Sequence, residues 1–317
     1  MAQGRRRFPH IEITALEQDS IEFVLQHTDT SVANALRRTM IGEVPTMAID
    51  LVTIFKNSSC LHDQFLAHRL GLIPLMHTHG LAGLDRFQWV YDTELDLEDP
   101  RVTVAFTLTA KCDDDQDSMV VTSKHLKSLD PDVRPVHFSN SAEEDQTTDD
   151  GIRIVKLARG QELVVECRAR LGRGKEHAKW SPVCGCSFKF QPIIYLNSEA
   201  LDMLDDEQKK EFVDCCPKKV FALEVGKDGQ EHVKVDKLKE CMFCDECVVK
   251  SEELRETPES DPLVSVAMDQ DHFTFHVETN GSLKPEEVVT SACNVLVQKF
   301  AELNNSIHGS GLTELDD

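Results

Sequence analysis

The chain has 317 residues, 40% hydrophobic and 28% charged, the make-up of a globular protein with room for two or three domains. Its formal net charge of −22 argues against a free-standing nucleic-acid binder, because such a surface on average repels phosphate. No apolar run approaches the ~18 residues of a membrane span, and the basic start Met1–Phe8 lacks the apolar stretch of an export signal; no membrane partner is expected. Eleven cysteines, an odd count with no export signal, point to a reducing compartment where thiols serve metals rather than disulfides.

In chain order, Ile11, Ile13, Ile21, Phe23 and Leu25 alternate with polar residues, so residues 10–27 read as two strands turning near Gln18–Ser20. A helix follows, capped by Thr28 or Thr30, with Val32, Ala35, Leu36 and Met40 on one face. Gly42 and Pro45 end it. The middle of the chain reads as β-rich: Arg101–Thr109, Arg153–Leu157, Glu162–Ala169 and Ser187–Phe190 carry strand patterns. The loops 113–117 and 139–150 are acidic or polar and read as solvated. Local basic patches at Arg5–Arg7, Arg37–Arg38 and Arg168–Lys179 suit acidic surfaces of protein partners or are ordinary solvated charges.

Further on, Val220–Val225 and His232–Val235 read as a hairpin around the turn 226–229. It is flanked by the Cys216–Pro217 pair and the run Cys241, Cys244, Cys247. Three thiolates spaced by two residues wrap one face of a metal–sulfur cube, and a remote Cys-Pro supplies the fourth ligand in ferredoxins. The set Cys216, Cys241, Cys244 and Cys247 therefore favours a [4Fe-4S] cluster. Zinc and metal-free thiols stay open, as does Cys215 in place of Cys216; zinc more often shows two C-x2-C pairs. Residues 251–262 are acidic with two prolines and read as a linker. Phe273, Phe275 and Val277 form a half-buried strand, Asn280–Gly281 a turn, and Pro285 suits a helix start. Val288, Val289, Ala292, Val295, Leu296, Phe300 and Leu303 then make a stripe at helical spacing. It is long for so small a domain and serves as core or as a surface shared with a partner.

Five separated motifs occur in order: Asn34–Arg38, Glu43–Pro45, Ala48–Asp50, Ala67–Pro74 and Lys175–Pro182. Together they resemble the α-like subunits of RNA polymerases, the family of the archaeal D subunit and the third-largest subunit of eukaryotic polymerase II. The resemblance covers nearly the whole chain. It implies an α+β fold: a split dimerisation domain (8–48 plus 263–310), an inserted β-rich domain (49–195), a ferredoxin-like subdomain (196–255), a linker (251–262) and a tail (311–317). It also implies a nuclear assembly subunit without an active site of its own. Such a subunit heterodimerises with a small α-like subunit, then docks the second-largest subunit and small zinc-binding subunits. DNA is reached only through the whole complex.

The candidate partner-binding residues are Asn34, Leu36, Arg37 and Arg38 on the first helix; Lys175, His177, Lys179 and Trp180 in a charged loop; and Val288, Ala292, Val295, Leu296, Phe300 and Leu303 on the last helix. Trp180 reads equally well as packed in its own domain, and His68 reads as a satisfied core residue rather than a catalyst. Residues 76–100 hold His77 and His79 but no cysteine, so the zinc loop of many eukaryotic relatives is not expected. No Asp-x-Asp pair sits in an apolar strand context, as a two-metal polymerase centre would require. Two other readings are the α-like subunit shared by polymerases I and III, and an iron–sulfur electron carrier or redox sensor.

Overall fold

The computed structural model describes residues 8–91, 93–137, 151–226, 229–255 and 260–309. The basic run Arg5–Arg7, the acidic loop 139–150, part of the 226–229 turn, part of the 251–262 linker and the 311–317 tail lie outside the described residues.

The fold is α+β. The strands β1 (His10–Leu16) and β2 (Ser20–Gln26) lead into helix α1 (Thr30–Gly42), then β3 (Pro45–Asn57), α2 (Asp63–Gly71), β4 (Leu75–His77) and α3 (Gly80–Leu84). Next come β5 (Thr103–Lys111), β6 (Ser118–Thr122), β7 (Lys127–Ser128), β8 (Val133–Pro135), β9 (Arg153–Ala158), β10 (Glu162–Arg173) and β11 (Val183–Leu196). Helices α4 (Ser198–Asp202) and α5 (Asp206–Asp214), the hairpin β12 (Phe221–Val225) and β13 (Glu231–Val235), α6 (Glu246–Leu254), β14 (Val264–Thr279) and α7 (Pro285–Gly309) complete the chain. Among the described residues, no helix is long and apolar enough to cross a membrane.

Two compact units result. One comprises residues 8–12, 24–30 and 188–274, the other residues 13–23, 31–187 and 275–309. One four-stranded sheet has the order β1-β2-β14-β11. The second unit holds another four-stranded sheet, in the order β3-β10-β5-β7. Strand β10 is its spine, pairing antiparallel with β3 from Leu163↔Asn57 to Arg173↔Pro45. Its alternation explains why: Leu163, Val165, Cys167, Ala169 and Leu171 are buried on one face, against Val104, Phe106, Leu108 and Ala110 of β5. Beside it, α2 is tied down by Arg69, whose Nε and Nη2 donate to the carbonyls of Ile154 and Arg153 at 2.8 and 2.7 Å.

The other unit has its own small core of Leu201, Phe212, Cys216, Val220, Phe221, Cys247, Leu263 and Val264. Helix α5 is started by a reciprocal cap. Asp205 accepts the Gln208 N–H at 2.7 Å while the Gln208 side chain accepts the Asp205 N–H at 3.1 Å, satisfying two otherwise unpaired donors. Phe212 on that helix packs on Phe221 of β12 at 5.2 Å between ring centroids.

Several sequence expectations shift. The buried face of α1 is Ala33, Leu36, Thr39 and Met40; Val32 is exposed. Thr39 can join that face because its hydroxyl donates to the Ala35 carbonyl at 2.8 Å. His68 is exposed on α2 rather than in a core. The short strand expected at 187–190 is part of the longer β11, which pairs with β14. The expected linker begins inside α6: Ser251 is fully buried and its hydroxyl accepts the Leu263 N–H at 3.0 Å.

Two outcomes follow for the second unit. Trp180 is buried, donates its indole N–H to the Arg170 carbonyl at 3.2 Å, and fills the space above Gly172. Trp180→Ala should therefore cost about 3–5 kcal/mol in urea unfolding; a loss under about 1 kcal/mol, the size of an exposed substitution, would contradict that packing. His276 lies between Glu22 and Glu278, with contacts of 3.2 and 2.9 Å. These carboxylates, Glu278 most, raise its pKa against the opposing effect of burial. A raised folded-state pKa gives stability that is fully present below the unfolded value and is lost as pH rises through the folded value. His276→Asn should lower Tm more at pH 5.5 than at pH 9, and equal losses at both would refute the pairing.

Candidate functional site

The second helix turn of α1 carries Asn34, Leu36, Arg37 and Arg38. Leu36 is buried inside its own unit, which removes it from the partner-binding set. Asn34 serves its neighbour: its Oδ1 accepts from Nε and Nη2 of Arg37 at 3.2 and 3.0 Å, fixing the guanidinium fork. Arg38 is exposed and makes no ion pair among the described residues. At the end of the helix, Glu43 meets Lys299 of α7 at 2.6 Å. The Lys299 hydrogen bond, with the charges of Lys175 and Arg173, holds the Glu43 carboxyl below its ordinary range although burial opposes this.

The charged loop after β10 approaches the same helix end. The Lys175 N–H donates to the Gly42 carbonyl at 2.8 Å. Residue 174 is glycine because a Cβ there would sit 2.3 Å from the Ile41 carbonyl oxygen, inside any tolerable contact. Lys175 is exposed. His177 is exposed and accepts the Lys179 N–H on Nδ1 at 3.1 Å, so part of its work is local turn formation.

Lys179 and Trp180 are structural. Asp50 takes Lys179 Nζ at 2.6 Å and Arg170 Nε at 2.7 Å. Both cations lie over the Trp180 ring, at 4.4 and 4.6 Å from its centroid. Burial pushes the Asp50 carboxyl up, but the combined hydrogen bonds and charges of Lys179 and Arg170 outweigh it and leave the group below its usual range. Trp180 is only 2% exposed, so it cannot be a partner's anchor. Its role is to hold up the loop that presents Lys175 and His177.

The stripe on α7 divides in two. Val288 and Ala292 are fully buried in their own unit, and Val295 and Leu296 are half-buried. Beyond them Phe300 and Leu303 are 67% and 57% exposed, together with Val297 at 68% and Ile307 at 47%. These last four lie three or four residues apart, along one helix face. The apolar stripe thus begins as core and ends as an uncovered face. Val288 and Ala292 leave the partner-binding set for the same reason as Leu36. Sequence reasoning missed Val297 and Ile307, which the same spacing would have found, and missed Lys299 and Glu43, which stand 256 residues apart and share no local signal.

In the other unit, Cys216, Cys241, Cys244 and Cys247 line one cavity with Ile194, Lys218, Val220, Phe221 and Val266 among its walls. Cys216 and Cys247 are buried, Cys241 is half-buried and Cys244 is exposed. Cys215 is not part of that lining. The Val220 N–H donates to the Cys216 sulfur at 3.4 Å. Among the described residues, three of the four non-glycine residues with left-handed backbone, Lys219, Phe243 and Asp245, lie within three positions of these cysteines. Such conformations persist only where their surroundings impose them. Burial, then the nearness of Cys241, Cys216 and Cys244, pushes the Cys247 thiol up to about 11. Four thiols face one mostly apolar cavity, with a backbone N–H on one sulfur. No group of three or more His, Cys, Asp or Glu among the described residues is arranged around a single ion.

The RNA polymerase Rpb3/Rpb11 dimerisation domain matches residues 22–300. The DNA-directed RNA polymerase II subunit rpb3 of Dictyostelium discoideum is 42% identical over 305 residues, covering 95% of each chain. The DNA-directed RNA polymerases II, IV and V subunit 3 of Arabidopsis thaliana is 43% identical over 297 residues, covering 93% of this chain and 90% of the relative. The DNA-directed RNA polymerases I and III subunit rpac1 of Dictyostelium discoideum is 33% identical over 304 residues, covering 94% of this chain and 81% of the relative.

An α+β chain that matches over almost its whole length, with an uncovered apolar helix face, is of the α-like polymerase-subunit class. The chain belongs to the RNA polymerase Rpb3/Rpb11 dimerisation family. It is a polymerase subunit of the Rpb3 kind.

Proposed function

We propose that the chain is the assembly subunit of a nuclear DNA-directed RNA polymerase II and carries no catalytic step itself. The observation that carries this is the outer half of α7. Val297, Phe300, Leu303 and Ile307 form an exposed apolar face continuous with the unit's core, and an apolar face of this kind needs a second surface to bury it. A small α-like subunit is the occupant, in a heterodimer. The dimer then docks the second-largest subunit and the small zinc-binding subunits, and DNA is met only through the whole complex. Polymerase II is favoured over polymerases I and III because, within one organism, the polymerase II relative is 42% identical and the I and III relative 33%.

Replacing Phe300 and Leu303 by Asp should abolish co-purification of the small α-like subunit while the far-UV circular dichroism of the isolated chain stays that of the wild type. Val288→Asp should instead unfold the chain. If the Phe300/Leu303 variant retains its partner at wild-type stoichiometry, the helix face is not the interface.

The cysteine cavity supports a structural [4Fe-4S] cluster held by Cys216, Cys241, Cys244 and Cys247. When bound it would supply a cross-link between the end of α5, the hairpin return and α6, in a unit whose own core is small. The chain's residues bury two of the four thiols and place a backbone N–H on Cys216. An electron-carrier role has no comparable support, since the family is one of assembly. Anaerobic purification should yield four irons and four sulfides per chain, and Cys244→Ser should loosen residues 196–255 in hydrogen exchange while the polymerase still assembles. One zinc per chain would replace the cluster with zinc; neither metal, with all four thiols freely alkylated, would overturn ligation altogether.

A further inference from the structure

His77 is a buried histidine, 4% exposed, at the end of β4. Its Nδ1 accepts the His79 N–H at 3.1 Å, so the neutral ring carries its proton on Nε2. That nitrogen is buried and has no hydrogen-bond partner among the described residues. The ring stands edge-on to Phe87, at 6.4 Å between centroids. Helix α3 lies directly on it: a Cβ at Gly83 would sit 1.9 Å from Nδ1, so only glycine lets the helix backbone come that close. Strand β8 holds β4 in place, with Val133 opposite His77, and the Thr78 N–H donates to the Asp132 carbonyl at 2.8 Å. On α7, Glu287 accepts the Leu81 N–H at 3.2 Å. The ring and Glu287 are thus two seats for a helix of five residues.

An added proton has no acceptor in this slot. Protonation at Nδ1 turns an acceptor into a donor facing the His79 N–H, and the Nε2 proton already lacks a partner. An imidazolium buried without acceptors is costly. The surrounding charges do not offset that cost. Arg86 and His79 oppose the positive form, while Asp132 and Asp130 favour it; Asp130 is itself paired with Arg86. The acid that α7 brings, Glu287, is taken by the Leu81 and Lys284 N–H groups. Burial, then the charge of Arg86, holds the His77 pKa below its ordinary value. We propose that His77 is an acid-operated latch: uptake of one proton drives its ring out of the slot and frees α3 from β4, while the β3-β10-β5-β7 sheet stays folded. The released ring, in water, titrates as an ordinary imidazole, so the seated form binds fewer protons than the released one. The stability of the seated form therefore rises with pH and is lost as pH falls through the imidazole range. Release also loosens the tie between α3 and the first turn of α7, through Leu81 and Glu287.

Amide hydrogen exchange on the full chain, read by mass spectrometry at pH 7.5 and pH 5.5 and corrected for the intrinsic rate, tests this. Protection across residues 78–87 should fall about tenfold between those values, the limit for one proton when the released ring titrates near 6.5. Protection of β5 and β10 should not change. His77→Gln should remove the fall, and His79→Gln should keep it. Should His77→Gln fail to fold, the wild-type chain still decides. The nitrogen-15 shifts of its His77 ring should show Nε2 alone protonated at pH 7.5, and a charged ring appearing in step with the loss of protection at pH 5.5. Protection of residues 78–87 that is indifferent to pH, an equal fall in His77→Gln, a charged ring with α3 still protected, or a parallel loss throughout β5 and β10 would each overturn the proposal.

Discussion

A helix of 25 residues is about 37 Å long, and its apolar stripe outruns the core available to it. That constraint organises the second unit. The first turns of α7 are anchored: Glu287 accepts the Leu81 N–H at 3.2 Å and the Lys284 N–H at 3.1 Å, and Val288 and Ala292 are fully buried. With that end fixed, the far end projects its apolar residues into solvent. Burial of a large side chain is worth about 1.5–3 kcal/mol, so four such residues left uncovered represent a strong drive toward a partner.

Charge holds the shape of the second unit as well. Lys179 and Arg170 clamp Asp50 and flank Trp180. They are partly buried, and a half-removed pair of this kind leaves an uncompensated charge behind. Their function is to stiffen the loop that carries Lys175 toward α1. The exposed cation Lys175 depends on that support, just as Arg37 depends on Asn34. Buried clamp residues and exposed cations thus sit side by side in one sequence motif, and only burial tells them apart.

That distinction marks what the sequence could convey. The α+β class, the two leading strands, the hairpin 221–235 and the long last helix were legible because each rests on local periodicity or turn chemistry. The four cysteines were legible through spacing, and their convergence on one cavity is a tertiary fact that spacing anticipates. The partner-binding set was only partly legible. Leu36, Trp180, Val288 and Ala292 carry the same apolar character as Phe300 and Leu303, and no local pattern says which end of a stripe meets its own sheet. The Glu43–Lys299 pair joins residues 256 positions apart, so the motif that holds Glu43 does not point to its partner. The face of α1 was misread by one position because a threonine whose hydroxyl is satisfied within the helix behaves as a buried residue.

If a small α-like partner covers the exposed outer face of α7, the mass of the chain in solution reports it. Light scattering on the chain expressed alone should give self-associated species heavier than the 35.7 kDa of one chain, and co-expression with a small α-like subunit should convert these to a single 1:1 species. A stable, soluble monomer at 35.7 kDa that binds no dye specific for exposed apolar surface, alone or beside that subunit, would show that the α7 face needs no partner.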